Sequence, residues 1–322
     1  MQKQLIDLLS IYGTSGNETA VRNYLKPILH DLMTEVFVDP YGNLLASKTY
    51  GTGEGANVML SAHMDTVHNT KKNKKIVNKS GIITAELPNG SRTVLGADDR
   101  AGIAIILTVL KRIPESFNGI IKVAFTREEE VGSVGAERLS KLFYKNVNLA
   151  IVVDRKGNRD IVVGSDRPYC SDAVGDFMEY VSETIGFDYK CVKGGSSDAS
   201  IFSRNKINSV NLSSGYQNEH TENEFLSIND MKDTIKLIIE TISSINDFYK
   251  DFGKVPRNNK WVDRCEFDED IMWEEQNDPN GLVYAYTEDR HIVMKQGENE
   301  ISMLQDNFIS LSQKIIKYIG KT

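Results

Sequence analysis

Five short polar groups in this chain each follow an apolar run. NVMLSA (57–62) is followed by His63-Met64-Asp65, and TVLGA (93–97) by Asp98-Asp99. IIKVAFTR (120–127) leads into Glu128-Glu129-Glu130, NLAIVV (148–153) into Asp154, and INSVNLSSGYQN (207–218) into Glu219-His220. Gathered on one edge of a sheet, these groups would crowd several acids into a few ångströms. Electrostatics forbids that unless cations are present. Two imidazoles among several carboxylates suit zinc, with cobalt or manganese as substitutes.

The elements that would do the gathering are legible as alternation. Short β-branched runs at Asn57–Ser61, Thr93–Leu95, Ile120–Thr126, Leu149–Asp154 and Ile207–Leu212 are interleaved with helical patterns such as Arg100–Arg112 and Met231–Tyr249. Strands alternating with helices predict an α/β fold, a mostly parallel central sheet flanked by helices. In such sheets the working residues lie in loops beyond the carboxyl ends of the strands. The stretch 66–92 predicts a β-hairpin (Lys75–Asn78, Ile82–Leu87) near the site entrance. Its KKNKK (71–75) is expected to be a solvated turn, with an attractor for acidic substrates as the sharper alternative.

The chain resembles the co-catalytic zinc exopeptidases, the group of peptidase T, glutamate carboxypeptidase and the deblocking aminopeptidases. The residues that carry the resemblance are His-x-Asp (His63, Asp65), Gly-Ala-Asp-Asp-Arg-Ala-Gly (96–102), Glu-Glu-Val-Gly (129–132), Asp154 at a strand end, and His-x-x-x-Glu (His220, Glu224). Thr-Ser-Gly-Asn-Glu (14–18), Asp-x-x-Gly-Asn-Leu (39–44) and Gly-Gly-Ser-Ser-Asp (194–198) agree with it. The resemblance covers residues 1 to about 250.

It implies a two-metal hydrolytic site. His63 and Asp154 would hold one ion, Glu130 and His220 the other, and Asp98 would bridge them. Asp160 is the competing carboxylate for the position of Asp154. Asp65 would fix the tautomer of His63 from behind. Asp99 would hydrogen-bond nearby, across a cis peptide as in the family. Glu129 would be the general base that takes a proton from water and returns it to the leaving amine. A tight ligand cannot also be that base, so two adjacent carboxylates have different tasks, and Glu128 is expected to face outward. His30, His68 and His291 are expected to be structural or exposed, with His68 near enough to rim the site.

One departure from the family is an absence. Peptidase T and the carboxypeptidases carry a lid domain between the positions of Asp154 and the Gly-Gly motif. Here that interval has room for a strand and a helix (Ser171–Gly186) only. The interval between Asp65 and Asp98 is too short for the insertion of the deblocking aminopeptidases. The resemblance is therefore to a catalytic domain without a lid, and the lid's contributions to dimer contacts and substrate-carboxylate binding do not carry over.

The wider composition sets bounds. Of 322 residues, 40% are hydrophobic and 26% charged, an ordinary globular balance. No apolar run reaches the roughly 18 residues of a membrane span. MQKQLIDLLSIYG reads as an amphipathic helix without a signal cleavage site. Three cysteines without a CxxC fit a reducing cytoplasm. The net charge of −7 argues against a nucleic-acid partner. Seven acids within 265–281, with no Lys or Arg among them, account for all of that charge. This shift predicts a catalytic domain over 1–252 and a small accessory β–α domain over 253–322. The latter would have paired strands at Leu282–Tyr286 and His291–Lys295 and a helix at Ile301–Ile319.

The expected activity is that of a binuclear metal-dependent aminopeptidase or tripeptidase with two divalent ions, zinc before cobalt or manganese, acting on short peptides. The alternatives are an N-acyl-amino-acid amidohydrolase using the same metals and, from another class, a catalytically inactive metal-binding interaction protein. No membrane partner is expected, the oligomeric state is open, and the C-terminal extension is a candidate for association.

Overall fold

The computed structural model describes residues 1–252 and, beyond them, strands at 271–275, 283–288, 291–296 and 299–304. Helices α1 (Gln2–Ser10) and α2 (Thr19–Leu32) come first, then strands β1 (Glu35–Val38), β2 (Leu44–Tyr50) and β3 (Ala56–His63). The expected hairpin follows as β4 (Lys75–Lys79) and β5 (Ile82–Glu86), with a two-residue β6 (Arg92–Thr93). Next come α3 (Ala97–Leu110), β7 (Gly119–Thr126), α4 (Val134–Arg138), β8 (Leu149–Arg155), β9 (Asp160–Gly164) and α5 (Asp172–Thr184). The unit closes with β10 (Lys190–Lys193), α6 (Asp198–Arg204), β11 (Asn208–Ser213), β12 (Tyr216–Gln217), β13 (Phe225–Ser227) and α7 (Ile228–Phe252).

Eight strands form the central sheet in the order β1-β2-β7-β3-β8-β11-β9-β10. Its middle, β7-β3-β8-β11, is parallel. The flanks are mixed: β1 and β2 pair antiparallel, β2 runs antiparallel to β7, and β9 runs antiparallel to β11. With β9 and β10 also parallel, four of the seven neighbouring pairs are parallel, as expected of a mostly parallel sheet. Thr93–Leu95 is not one of its strands. Only β6 forms there, and it pairs with β5 in a second, smaller sheet ordered β12-β13-β5-β4.

Side-chain alternation fixes the two faces. Val58 and Leu60 of β3 and Leu149, Ile151 and Val153 of β8 point into a core shared with α1, α3 and α7. Met59 of β3 and Ala150 and Val152 of β8 point the other way, against Ala199 and Phe202 of α6. Helix α3 is buried on every side, as its sequence ADDRAGIAIILTVL requires.

The chain divides into two compact units, Met1–Arg264 and Cys265–Thr322. In the second, β14 (Ile271–Glu275), β15 (Val283–Glu288), β16 (His291–Gln296) and β17 (Asn299–Leu304) form an antiparallel four-stranded sheet in sequence order. The two expected strands are β15 and β16, which pair with each other. The expected helix at Ile301–Ile319 is corrected at its start, because residues up to Leu304 belong to β17. Its remainder, 305–319, lies outside the described residues. No helix among the described residues is long and apolar enough to cross a membrane.

Gly102 explains why the motif around Asp98 ends in glycine. A Cβ there would lie 2.0 Å from the Val153 carbonyl oxygen and 2.5 Å from Asp99 Oδ1. Gly102→Ala is therefore expected to push α3 off β8 and to destabilise the protein by about 1–3 kcal/mol, as overpacking does. A denaturant melt checks this; an unchanged midpoint would contradict it.

Candidate metal centre

The alternation that builds the core also delivers the first two ligands. His63 continues the row Met59–Ser61 along β3, and Asp154 continues Ala150–Val152 along β8. Ser61 faces Val152 in the register of these parallel strands, so two residues later both side chains emerge on one face at the carboxyl edge. His63 Nε2 lies 3.4 Å from Asp154 Oδ1. From the start of α3, Asp98 brings Oδ1 to 2.9 Å from His63 Nε2 and Oδ2 to 3.1 Å from His220 Nε2. The same His220 Nε2 lies 2.9 Å from Glu130 Oε2.

Two triads result, His63–Asp98–Asp154 and Asp98–Glu130–His220. Within each, the possible ligand atoms lie within 4.8 Å of one another, and Asp98 belongs to both. All five residues named as ligands from the sequence are thus brought together, in the predicted grouping. Asp160 is not among them, because its Oδ2 accepts from Arg155 Nε at 3.1 Å. His68 and His30 are exposed and belong to neither triad. His291 falls in β16, outside the unit that holds the site.

Three neighbours differ in role although they adjoin in sequence. Glu130 joins the second triad. Glu129 does not; Ser133 Oγ donates to its Oε1 at 3.2 Å, while Oε2 lies 4.0 Å from His63 Nε2. Glu128 does not face outward as expected. Its carboxylate accepts from the Tyr41 hydroxyl and, at 3.2 Å, from Arg127. Its backbone takes a positive φ of 53°, which turns the side chain away from the two that follow.

The loop is held from below by the minor motifs. Glu18 accepts from Arg127 Nε at 2.8 Å and from the Glu128 amide at 3.3 Å. Asn43 Oδ1 accepts from the Arg127 amide at 3.0 Å. Asp65 accepts from the Glu129 and Glu130 amides at 3.0 and 3.2 Å and from Ser15 Oγ at 2.7 Å. It also lies 3.2 Å from His63 Nδ1, the nitrogen that faces away from Asp98. Asp65 therefore fixes the imidazole and the glutamate loop together. Asp99, joined to Asp98 by a cis peptide, accepts from the His63 amide at 3.3 Å and the Gly102 amide at 3.0 Å.

Several contributors had no clear signal in the sequence. Tyr216 donates its hydroxyl to Asp154 Oδ1 at 3.1 Å, and Asn211 holds the Asp154 backbone through both its amide and its carbonyl. The guanidinium of Arg100, fully buried, donates to the carbonyls of Met64 and Gly13. Asp198 is buried, accepts from Thr126 Oγ1 at 2.6 Å, and leaves Oδ1 without a hydrogen-bond partner. Asp198 and Arg100 lie in motifs singled out in the sequence, but their tasks depend on contacts no local pattern encodes.

The electrostatics test whether cations fit. Burial and the charge of Asp154 push the Glu129 carboxyl up to about 9. Burial pushes Asp154 up to about 7, and Glu130 is also raised by burial. Burial alone would lower the His63 imidazole, but Asp154, Asp65 and Asp98 hold it well above its ordinary value. Hydrogen bonds to Asp98 and Glu130 push His220 up to about 10. The cluster thus draws in protons, which stand where positive charge is wanted. Nitrogen and carboxylate donors at these separations suit divalent zinc, cobalt or manganese.

Residues 59–244 match peptidase family M20/M25/M40. The chain is 31% identical over 176 residues to peptidase T of Macrococcus caseolyticus, an alignment covering 41% of this chain and 43% of that one. It is 23% identical over 331 residues to a putative aminopeptidase of Acetivibrio thermocellus, covering 75% of this chain and 99% of that one. The chain thus spans less than half the length of the peptidase T relatives it matches. Among solved structures, aminopeptidase PepT from Bacillus cereus superimposes with a TM-score of 0.67 at 19% identity, covering 76% of this chain and 99% of that one. Aminopeptidase APDkam598 from Desulfurococcus kamchatkensis gives 0.62 at 16% identity, covering 80% and 99%. At these identities the likeness is one of fold.

The two triads predict separable binding. His63→Ala and His220→Ala should each lose one of two ions, whereas Asp98→Ala should lose both. Elemental analysis after zinc loading reads the count. Equal loss from all three variants would contradict a shared carboxylate between two sites.

Proposed function

This chain belongs to peptidase family M20/M25/M40, and on that premise we propose that it is a metal-dependent exopeptidase of short peptides, an aminopeptidase or tripeptidase. The observation that carries the reading is the pair of triads sharing Asp98, with Glu129 beside them and outside both. The names of the relatives, peptidase T and putative aminopeptidase, support it. In this reading His63, Asp154, Asp98, Glu130 and His220 hold two divalent ions, zinc before cobalt or manganese. The ions would supply Lewis-acid polarisation of the scissile carbonyl and of a water.

The remaining chemistry belongs to the chain. Glu129 takes a proton from the attacking water at Oε2, the oxygen on the His63 side, and passes it to the leaving amine. Ser133 steadies the other oxygen at 3.2 Å, which limits rotation of the carboxylate. Asp65 keeps His63 Nε2 directed at the site by occupying the Nδ1 side. The interval between Asp154 and Gly194 holds only β9, α5 and β10, with no lid to bind a substrate carboxylate, which supports an aminopeptidase over a carboxypeptidase.

We assign this chemistry to residues 1–252 and a role in association or substrate access to 253–322. A cytoplasmic location, expected from the cysteine usage, is part of the same reading.

Three measurements test this reading. Glu129→Gln should keep both ions and the fold and lose roughly 10²–10⁴ in kcat, the size of a general-base contribution. Glu130→Gln should instead lower metal occupancy, and the reverse pattern would shift the assignment by one residue. N-acetylation of a good peptide substrate should abolish cleavage. Acetylated substrates cut as well as free ones would favour an N-acyl-amino-acid amidohydrolase. Finally, a chain truncated near Asp251 should still fold, bind metal and hydrolyse a dipeptide. A folded, metal-loaded truncation without activity would place part of the active site in the extension.

A further inference from the structure

The turn Leu95-Gly96-Ala97-Asp98 is gripped from two sides. Lys74, half-buried, donates its ammonium to the Leu95 carbonyl. Glu224, fully buried, accepts from the Gly96 amide at 2.8 Å and the Ala97 amide at 2.6 Å. Its Oε1 also lies 3.3 Å from the Asp98 amide nitrogen. Lys74 precedes β4 and Glu224 precedes β13, and β5 lies between those two strands in the small sheet. Lys74 was expected to be part of a solvated turn. Its neighbours Lys71, Lys72 and Lys75 are exposed, and Lys74 alone is drawn inward.

We propose that Lys74 and Glu224 form a clamp whose task is to position Asp98 for both cation sites. The inference rests on the reading of Asp98 as the shared ligand. The geometry supplies the reason for a clamp. Asp98 addresses His63 with one oxygen and His220 with the other, so rotation or displacement of its backbone spoils both contacts together. The turn that carries it needs support, since Gly96 sits at a φ of +69° where a Cβ would lie 3.1 Å from Thr66 Cγ2. The first amides of α3 lack partners within the helix, and a carboxylate there also suits the helix dipole. Capping alone would need only Glu224. Lys74 bonds no helix amide; it fixes the carbonyl on the opposite side of the turn. The same loop that presents Glu224 presents His220, whose carbonyl accepts from Asn69 Nδ2 at 3.0 Å. Arg92 ties that loop to β6 by donating to the Glu224 carbonyl at 2.9 Å. The small sheet therefore sets the bridging carboxylate and the second imidazole against each other.

The test uses the full chain as wild type, Lys74→Met, Lys74→Arg, Glu224→Gln, and Lys71→Met as an exposed control. Zinc is titrated in competition with a chromophoric chelator, and the metal-free proteins are melted in parallel. Lys74→Met and Glu224→Gln should each bind both ions roughly 10–100-fold more weakly, the range for residues that orient metal ligands. Lys71→Met should bind as wild type, and Lys74→Arg should recover part of the loss. Unchanged affinity with a lower melting temperature of the metal-free protein would mean that the pair only caps α3, and would overturn the clamp. Loss of one ion alone would also overturn it. Should Glu224→Gln fail to fold, Lys74→Met decides the matter. A wild type that binds no ion would contradict the site reading itself, and the clamp with it.

Discussion

Asp98 stands 2.9 Å from one imidazole and 3.1 Å from another, inside a pocket that also holds Asp154, Glu129 and Glu130. That concentration of negative charge is the constraint on which the rest of the unit depends. Buried carboxylates at such spacing are costly unless positive charge lies among them. Asp99 is displaced from the cluster by bonding the His63 and Gly102 amides, and Glu128 is turned off toward Tyr41 and Arg127. Each acid near the site either has a place around the proposed cations or has been given another partner.

The supports are drawn from all along the chain. From between α1 and α2, Ser15 reaches Asp65 and Glu18 reaches the glutamate loop, and Asn43 reaches that loop from the turn before β2. Arg100 anchors the chain just beyond β3 by binding the Met64 carbonyl. Asn211 reaches from β11 to hold Asp154 at the end of β8. The fold thus serves the site through backbone bonds that fix where strand ends stop. The side chains of His63 and Asp154 then follow from alternation, and those of Asp98, Glu130 and His220 from the turns and loops that carry them.

This division explains what the sequence revealed. His63 and Asp154 were legible because each ends an apolar strand run, and period-two alternation carries the pattern past the strand end. Asp98, Glu130 and His220 were legible through motif order rather than through any single position. Thr93–Leu95 reads as a strand from composition, and β6 does form there, but local sequence does not say which sheet a strand joins. Ile301–Leu304 satisfies both an alternating and a helical pattern, and the pairing of β17 with β16 decided it. Lys74 was missed because its partner, the Leu95 carbonyl, is 21 positions away and carries no side-chain signature. The roles of Tyr216 and Asn211 were hidden for the same reason.

The central claim is that one carboxylate joins two cation sites. Anomalous diffraction from crystals of the full chain grown with zinc tests it most directly. The account predicts two peaks flanking Asp98, one beside His63 and Asp154 and the other beside Glu130 and His220. A single peak, or two peaks of which one lies away from Asp98, would contradict it.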